Sequence, residues 1–351
     1  MVIVSYCIRI PPVLYVCPMQ FSIVGSGSWA TALAKILTDN GNTIHWWVRN
    51  DVSIQHIQKR HHNPHYLNSV YFDTALLKMS SNVTEVVNGS DVIVMAVPSA
   101  YTEEALKGLD KNIFENRKVV SAIKGILPST NQLLNQYMAD HFNFDQQNYF
   151  TVLGPCHAEE VAAEKLSYLT FSGHNEGEAK KIAEYFKTPY LNTKTNHDIN
   201  GVQYAAVLKN IYALGAGIAH GLEYGDNFLS VYIANAADEM VKFSRKVIEG
   251  FSLENKINYA ASVYLGDLLV TCYSLYSRNR MFGNMIGKGY SVKAAQLELN
   301  MVAEGYNASK CIYQTNQAIQ AQIPIATTIY EILWDHLPAH EGFKRIESWL
   351  E

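Results

Sequence analysis

Gly25-Ser26-Gly27-Ser28-Trp29-Ala30 places small residues at its first, third and sixth positions. Gly25 permits a tight turn, Gly27 lets backbone approach a pyrophosphate, and Ala30 lets a helix pack closely on a strand. Phosphates would rest on N–H groups at the helix N-terminus, where the dipole favours negative charge. Phe21 to Val24 reads as a strand and Trp29 to Asn40 as a helix, the context a dinucleotide site requires of this spacing. An ordinary strand-to-helix turn is the plainer alternative. A second strand runs into Arg49-Asn50-Asp51. An acid near this strand end suits NAD, and an Arg suits the 2′-phosphate of NADP. Arg49 stands nearer the strand end than Asp51, which favours NADP, unless Arg49 only caps a surface turn.

Lys209 lies in Val207-Leu208-Lys209-Asn210-Ile211, within a helical run of apolar and small residues. Burial disfavours the charged form of Lys and lowers its pKa, as proton transfer near neutrality requires. By itself this pattern is better explained by a lysine snorkelling to solvent from a helix edge. Unless a partner holds that charge, Lys209→Met is expected to raise stability. Ser277-Arg278-Asn279 offers a helix cap and a guanidinium fork matched to phosphate. A capped surface turn has the same spacing. Asp267 could orient a lysine, bond a substrate hydroxyl or cap a helix.

These residues need two kinds of scaffold. From Gln20 to about Lys194, short apolar runs alternate with amphipathic stretches, with strands at 21–24, 43–48, 91–97, 118–123 and 149–153. Strands alternating with helices imply a parallel sheet covered on both faces. Beyond Asn196 the pattern is mostly helical, with helices over 201–221, 230–250, 304–321 and 324–337. Ala205, Ala206, Ala213, Gly215 and Gly217 would let neighbouring helices approach closely. The expected division is 1–18 as an extension, 19–196 as a dinucleotide-binding domain and 197–351 as an α-helical substrate domain.

The 351 residues suit two domains, and 48% hydrophobic residues supply ample core. Lys and Arg total 28 against 32 Asp and Glu, so no basic field points to nucleic acid or an anionic membrane. An anionic ligand needs a local cluster of cations. Cys7, Cys17, Cys156, Cys272 and Cys311 have no CxxC spacing, so a reducing cytoplasm is the expected compartment. His61, His62 and His65 lack ligand partners at metal spacing and read as a polar loop. Met1 to Pro18 is apolar but broken by Arg9, Pro11 and Pro12. It has no clear signal-peptide design and is too interrupted to span a bilayer. A dispensable extension is expected, with a short membrane-associating leader as the alternative.

Taken in order, GSGSWATAL (25–33), SAIKG (121–125), GPCHAEEV (154–161), LKN (208–210), GLEYGDN (221–227), GDLL (266–269), SRNRMFG (277–283) and VAEG (302–305) resemble bacterial NAD(P)-dependent glycerol-3-phosphate dehydrogenase. The resemblance spans about Gln20 to the C-terminus. It implies an N-terminal Rossmann-type domain with a parallel sheet, followed by an α-helical C-terminal domain. It also implies reduction of dihydroxyacetone phosphate to sn-glycerol 3-phosphate, a precursor of glycerophospholipids.

The same resemblance implies residue roles. Ser28, Trp29, Arg49 and Asn50 match cofactor contacts, as do Ala158, Val302 and Glu304. Lys124 matches a residue touching cofactor and substrate. Gly154, Cys156, Asp267, Ser277, Arg278 and Asn279 match substrate positions, Arg278 also touching cofactor. Lys209 matches the catalytic lysine. Cys156-His157 stands where Ser-Phe is more usual, and Glu223 where Gly is common. The implied chemistry uses NADPH or NADH, with Lys209 protonating the alkoxide at C2 and no metal. The implied partner is a small phosphate; no nucleic acid or stable membrane insertion is expected, and a homodimer is left open. A dehydrogenase of a β-hydroxy acid or ketopantoate would have little use for Ser277-Arg278-Asn279. A dinucleotide sensor would not need Lys124 and Lys209 together.

Overall fold

The computed structural model describes residues 18–248, 257–299 and 303–351. Residues 1–17 of the expected extension, and Val302, lie outside the described residues. The first part of the chain runs β1 (Phe21–Val24), α1 (Ser28–Asp39), β2 (Ile44–Trp47), α2 (Asp51–Arg60), β3 (Leu77–Ser80), α3 (Val83–Asn88), β4 (Val92–Met95), α4 (Ser99–Leu106), β5 (Lys118–Ser121), α5 (Leu134–Phe142), β6 (Tyr149–Leu153), α6 (Ala158–Ala162), β7 (Ser167–Gly173), α7 (Glu176–Glu184) and β8 (Leu191–Asn196). Helices then follow: α8 (Ile199–Gly221), α9 (Asp226–Ile248), α10 (Asp267–Tyr273), α11 (Arg278–Gly287), α12 (Val292–Leu299), α13 (Glu304–Ile319), α14 (Pro324–Trp334) and α15 (Ala339–Glu347).

The strands form one sheet in the order β3-β2-β1-β4-β5-β6-β7-β8. The first six make a Rossmann-like parallel arrangement, and strand order reverses between β1 and β4. β1 and β4 are buried along their whole length, which is why each reads as an unbroken apolar run. The sheet departs from a wholly parallel one at β7, which pairs antiparallel with β6 and parallel with β8. β3, β7 and β8 were not among the expected strands. β3 and β8 expose alternate residues at the two edges, and Leu191-Asn192-Thr193-Lys194-Thr195-Asn196 has too few apolar residues to announce a strand.

Asp198 caps α8 by accepting from Gly201 N–H at 2.8 Å. The helix is buried on nearly all sides, so it carries no polar stripe. Its small residues meet α11 backbone to backbone. A methyl on Gly217 would lie 2.1 Å from the Arg280 carbonyl oxygen, and one on Gly283 1.9 Å from that of Leu214. This close approach brings Lys209 to the start of α11.

Candidate active site

The turn after β1 is held from three sides. Gly25 has φ +129°, and a Cβ there would sit 2.5 Å from the Ala96 carbonyl oxygen at the end of β4. The Trp46 indole N–H donates to the Gly25 carbonyl at 2.7 Å. The Asn63 amide donates to Ser26 O at 3.1 Å and to Thr31 Oγ1 at 2.9 Å. A Cβ on Gly27 would meet nothing within 4 Å, leaving open space above the start of α1. The Trp29 indole nitrogen is buried nearby without a hydrogen-bond partner. An open backbone cradle at a helix N-terminus, at the strand-order reversal, suits a dinucleotide. Arg49 is exposed past the end of β2, and Asn50 caps α2 by accepting from Ser53 N–H at 2.8 Å.

Loops after the sheet strands and helices of the second part meet over two lysines. The Lys209 ammonium donates to Asp267 Oδ1 at 2.5 Å and to Thr271 Oγ1 at 3.1 Å. Lys209 and Asp267 are 4% and 1% exposed, so neither charge is shared with bulk water. Burial pushes the Lys209 pKa down to about 8; Asp267 opposes this and Lys124 adds to it. Asp267 begins α10 directly after the π-helical turn Ser262–Gly266. Its Oδ2 lies 3.9 Å from the Lys124 ammonium, near enough for charge attraction and too far for a hydrogen bond. Lys124 also donates to Gly154 O at 3.3 Å and lies 5.3 Å from the centre of the Trp29 ring. One lysine therefore links the phosphate turn to the buried ion pair.

At the start of α11, Ser277 Oγ accepts from Arg280 N–H at 3.3 Å. Arg278 occupies the first helical position, where backbone N–H groups have no helical partners. Asn279 faces inward and joins three helices. Its amide donates to Asn210 Oδ1 at 2.9 Å, while its Oδ1 accepts from Gly305 N–H at 2.9 Å. The Asn210 amide donates in turn to the Lys124 carbonyl at 2.9 Å. Asn210 thus ties the loop carrying Lys124 to the helix carrying Lys209.

The loop from Gly154 turns successive side chains to different sides. The Cys156 thiol donates to Tyr168 O at 3.2 Å, and burial pushes its pKa up to about 11. Ala158 begins α6 and is buried. Glu304, at the start of α13, accepts from Ser99 at both oxygens. The N–H donates at 3.0 Å and the hydroxyl at 2.5 Å. Burial raises the Glu304 pKa, against the Ser99 bonds and the Arg278 charge. A Cβ on Gly125 would fall 2.5 Å from Ser99 Oγ and 2.7 Å from Glu304 Oε2, so any larger residue beside Lys124 would have to displace the Ser99–Glu304 pair.

The structure gathers Lys124, Gly154, Cys156, Lys209, Asp267, Ser277, Arg278, Asn279 and Glu304 around one region. Gly25, Gly27, Ser28 and Trp29 lie at the adjoining turn. Ser99, Thr271, Asn210, Asn63 and Trp46 were not expected to matter. Each gains its role from a partner tens of residues away, including Asn210, whose partners Lys124 and Asn279 lie 86 and 69 positions off. The expected polar loop around His61 and His65 contains Asn63, a brace of the phosphate turn. Among the described residues, no three His, Cys, Asp or Glu side chains are grouped to hold a metal ion.

Family models for the N-terminus and C-terminus of NAD-dependent glycerol-3-phosphate dehydrogenase match residues 20–179 and 198–344. A glycerol-3-phosphate dehydrogenase (NAD(P)+) of Enterococcus faecalis is 31% identical over 328 residues, covering 93% of this chain and 95% of that protein. One from Bacillus subtilis is 34% identical over 317 residues, covering 90% of each. The crystal structure of a glycerol-3-phosphate dehydrogenase from Coxiella burnetii superposes with a TM-score of 0.84 at 25% identity, covering 93% of this chain and 98% of that one.

Proposed function

The chain belongs to the NAD-dependent glycerol-3-phosphate dehydrogenase family, and from that premise we propose how its own residues carry the reaction. It is an NAD(P)-dependent oxidoreductase that reduces dihydroxyacetone phosphate to sn-glycerol 3-phosphate. The observation that carries the mechanism is the buried Lys209–Asp267 pair, with Lys124 at 3.9 Å from the same carboxylate. A reduced nicotinamide cofactor held at the Gly25–Gly27 turn would supply the hydride for C2. Lys209 gives its proton to the C2 oxygen, and a pKa near 8 leaves that proton present yet transferable at neutral pH. Asp267 and Thr271 aim the ammonium. Lys124 adds positive potential where oxygen gains negative charge. Arg278 and the first N–H groups of α11 hold the phosphate. In the oxidative direction, neutral Lys209 takes the proton back.

The turn at Gly25 and Gly27, with Ser28 and Trp29, would receive the dinucleotide. Arg49 would pair with a 2′-phosphate, favouring NADPH. The proposed division is 19–196 for cofactor and 197–351 for substrate, with catalysis at their junction. No helix among the described residues is long and apolar enough to cross a membrane. The reading carries with it a cytoplasmic location, in keeping with the unpaired Cys156, Cys272 and Cys311, and a homodimer, which sedimentation equilibrium tests. The direct test of the reaction is NADPH oxidation with dihydroxyacetone phosphate as the only added ketone. Oxidation with ketopantoate and none with the phosphate would overturn the reading.

A further inference from the structure

His157 stands between Cys156 and α6 in a position that usually serves to cap a helix, yet its side chain makes no capping hydrogen bond. Its carbonyl does the local work, accepting from Glu160 and Val161 N–H at 3.1 Å each. The backbone is extended there, with φ −90° and ψ 137°, which sends neighbouring side chains to opposite sides. Cys156 turns to the Tyr168 carbonyl. The imidazole instead lies 6.4 Å, centre to centre, from the ring of Tyr276, just before the Ser277 cap. Its Nδ1 is buried without a hydrogen-bond partner. Burial, then the Lys209 and Lys124 charges, hold its pKa down to about 4, with Asp267 opposing and Arg278 adding. The ring is thus a neutral polar group inside the charge cage of the active site.

A buried polar nitrogen without a partner is costly unless a ligand supplies one. Dihydroxyacetone phosphate has three polar parts. The phosphate matches Arg278 and the C2 oxygen matches Lys209, which leaves the C1 hydroxyl. A hydroxyl both donates and accepts, so it can satisfy a neutral imidazole in either tautomer. We propose that His157 is a specificity-determining residue of the substrate pocket, whose Nδ1 exchanges a hydrogen bond with the C1 hydroxyl of dihydroxyacetone phosphate. The inference rests on the reaction proposed above and adds a residue with no previous role in it.

The test compares dihydroxyacetone phosphate with hydroxyacetone phosphate, which has a methyl in place of the hydroxymethyl group. In wild-type protein, kcat/KM should favour the first. His157→Phe keeps a planar ring of similar size, and Phe is the more usual residue here. It should lower kcat/KM for dihydroxyacetone phosphate about 3- to 10-fold, the loss expected of one uncharged hydrogen bond, and leave hydroxyacetone phosphate unaffected. His157→Asn, which retains a donor and an acceptor, should recover part of that preference. NADPH affinity, titrated by fluorescence, should stay constant in both variants and so report an intact fold. An unchanged preference in His157→Phe, or an equal loss for the two ketones, overturns the inference while leaving the reaction intact. Wild-type protein that oxidises NADPH with neither ketone overturns the reaction and this inference with it.

Discussion

Lys209 would be costly to bury alone, and the structure supplies what its sequence surroundings do not show. Asp267, 58 residues away, takes its charge at 2.5 Å. The stability expected from Lys209→Met therefore changes sign. Methionine would leave Asp267 buried with Lys124 at 3.9 Å as its remaining counter-charge, and breaking a buried pair costs up to about 3–5 kcal/mol. Lys209→Met should unfold at lower urea than wild type, and adding Asp267→Asn should recover much of the loss. Turnover should fall about 10²- to 10⁴-fold in the single and double variants at saturating substrate. Near-normal turnover in either would remove Lys209 from proton transfer. The pH dependence follows from its pKa. The folded value, near 8, lies below the ordinary 10.5, so the unfolded chain holds more protons between them. Wild-type stability should then rise from pH 8 to 10.5 relative to Lys209→Met, and be level against it below pH 8. Ketone reduction should decline above pH 8 as the proton is lost, and alcohol oxidation should gain. Arg49 makes a different kind of contact. It is exposed, so Arg49→Ala should leave stability alone while weakening NADPH about 10-fold or more and NADH little. Equal weakening of both, measured by titration, would show that Arg49 does not read the 2′-phosphate.

The two glycines after β1 have different tasks, which substitution can separate. Gly25 is strained for any other residue by its φ of +129°, and a Cβ would press on the backbone of β4. Gly25→Ala should cost at least about 1–3 kcal/mol in urea unfolding, with cofactor affinity falling alongside. Gly27 has φ −76° and free space around its Cα, so Gly27→Ala should fold normally. Its methyl would occupy the space a pyrophosphate needs, so NADPH binding should fall without loss of stability. Loss of stability in Gly27→Ala, or unchanged NADPH affinity, would argue against the cradle. Both glycines were legible from their spacing, Gly25 because the turn's backbone demands it and Gly27 because a pyrophosphate would need the space above it. β1, β2, β4, β5 and β6 were legible too, since buried parallel strands are apolar runs. β3 and β8 were not, because an edge strand takes its conformation from one neighbour and leaves a face in water. Lys209 and Ser277-Arg278-Asn279 could be singled out as chemistry, but their proximity could not. It depends on Gly217 and Gly283 letting α8 and α11 touch, and on Asn210 and Asn279 meeting across 69 positions of sequence.

No half of the molecule holds the whole of the proposed site. The sheet contributes Lys124, Gly154 and the phosphate turn; the helices contribute Lys209, Asp267, Arg278 and Glu304. The halves must therefore be fixed in register, and the bonds that fix them lie beside the chemistry. Ser99 at the start of α4 holds both oxygens of Glu304, and Asn210 holds the Lys124 carbonyl. A third link is farther along α13, where the Asn131 amide donates to Thr315 Oγ1 at 3.1 Å. Ser99→Ala removes the hydroxyl bond and keeps the N–H bond. A hydrogen bond to an ionised carboxylate contributes about 1.5–3 kcal/mol, so urea unfolding should show a loss in that range. Glu304 sits against Gly125, next to Lys124, so the loosened clamp should also shift the lysine cage. A fall in kcat/KM for dihydroxyacetone phosphate of about 10-fold or more is expected, since small misplacements of positioning groups are expensive in rate. Thr315→Ala removes a neutral bond between the same two parts of the chain. It should cost about 0.5–1.5 kcal/mol and leave kcat/KM within twofold. If both variants lose stability and neither loses rate, the clamp only joins the halves. If Ser99→Ala alone loses rate, register at this junction is part of what positions Lys124 over the Asp267 carboxylate.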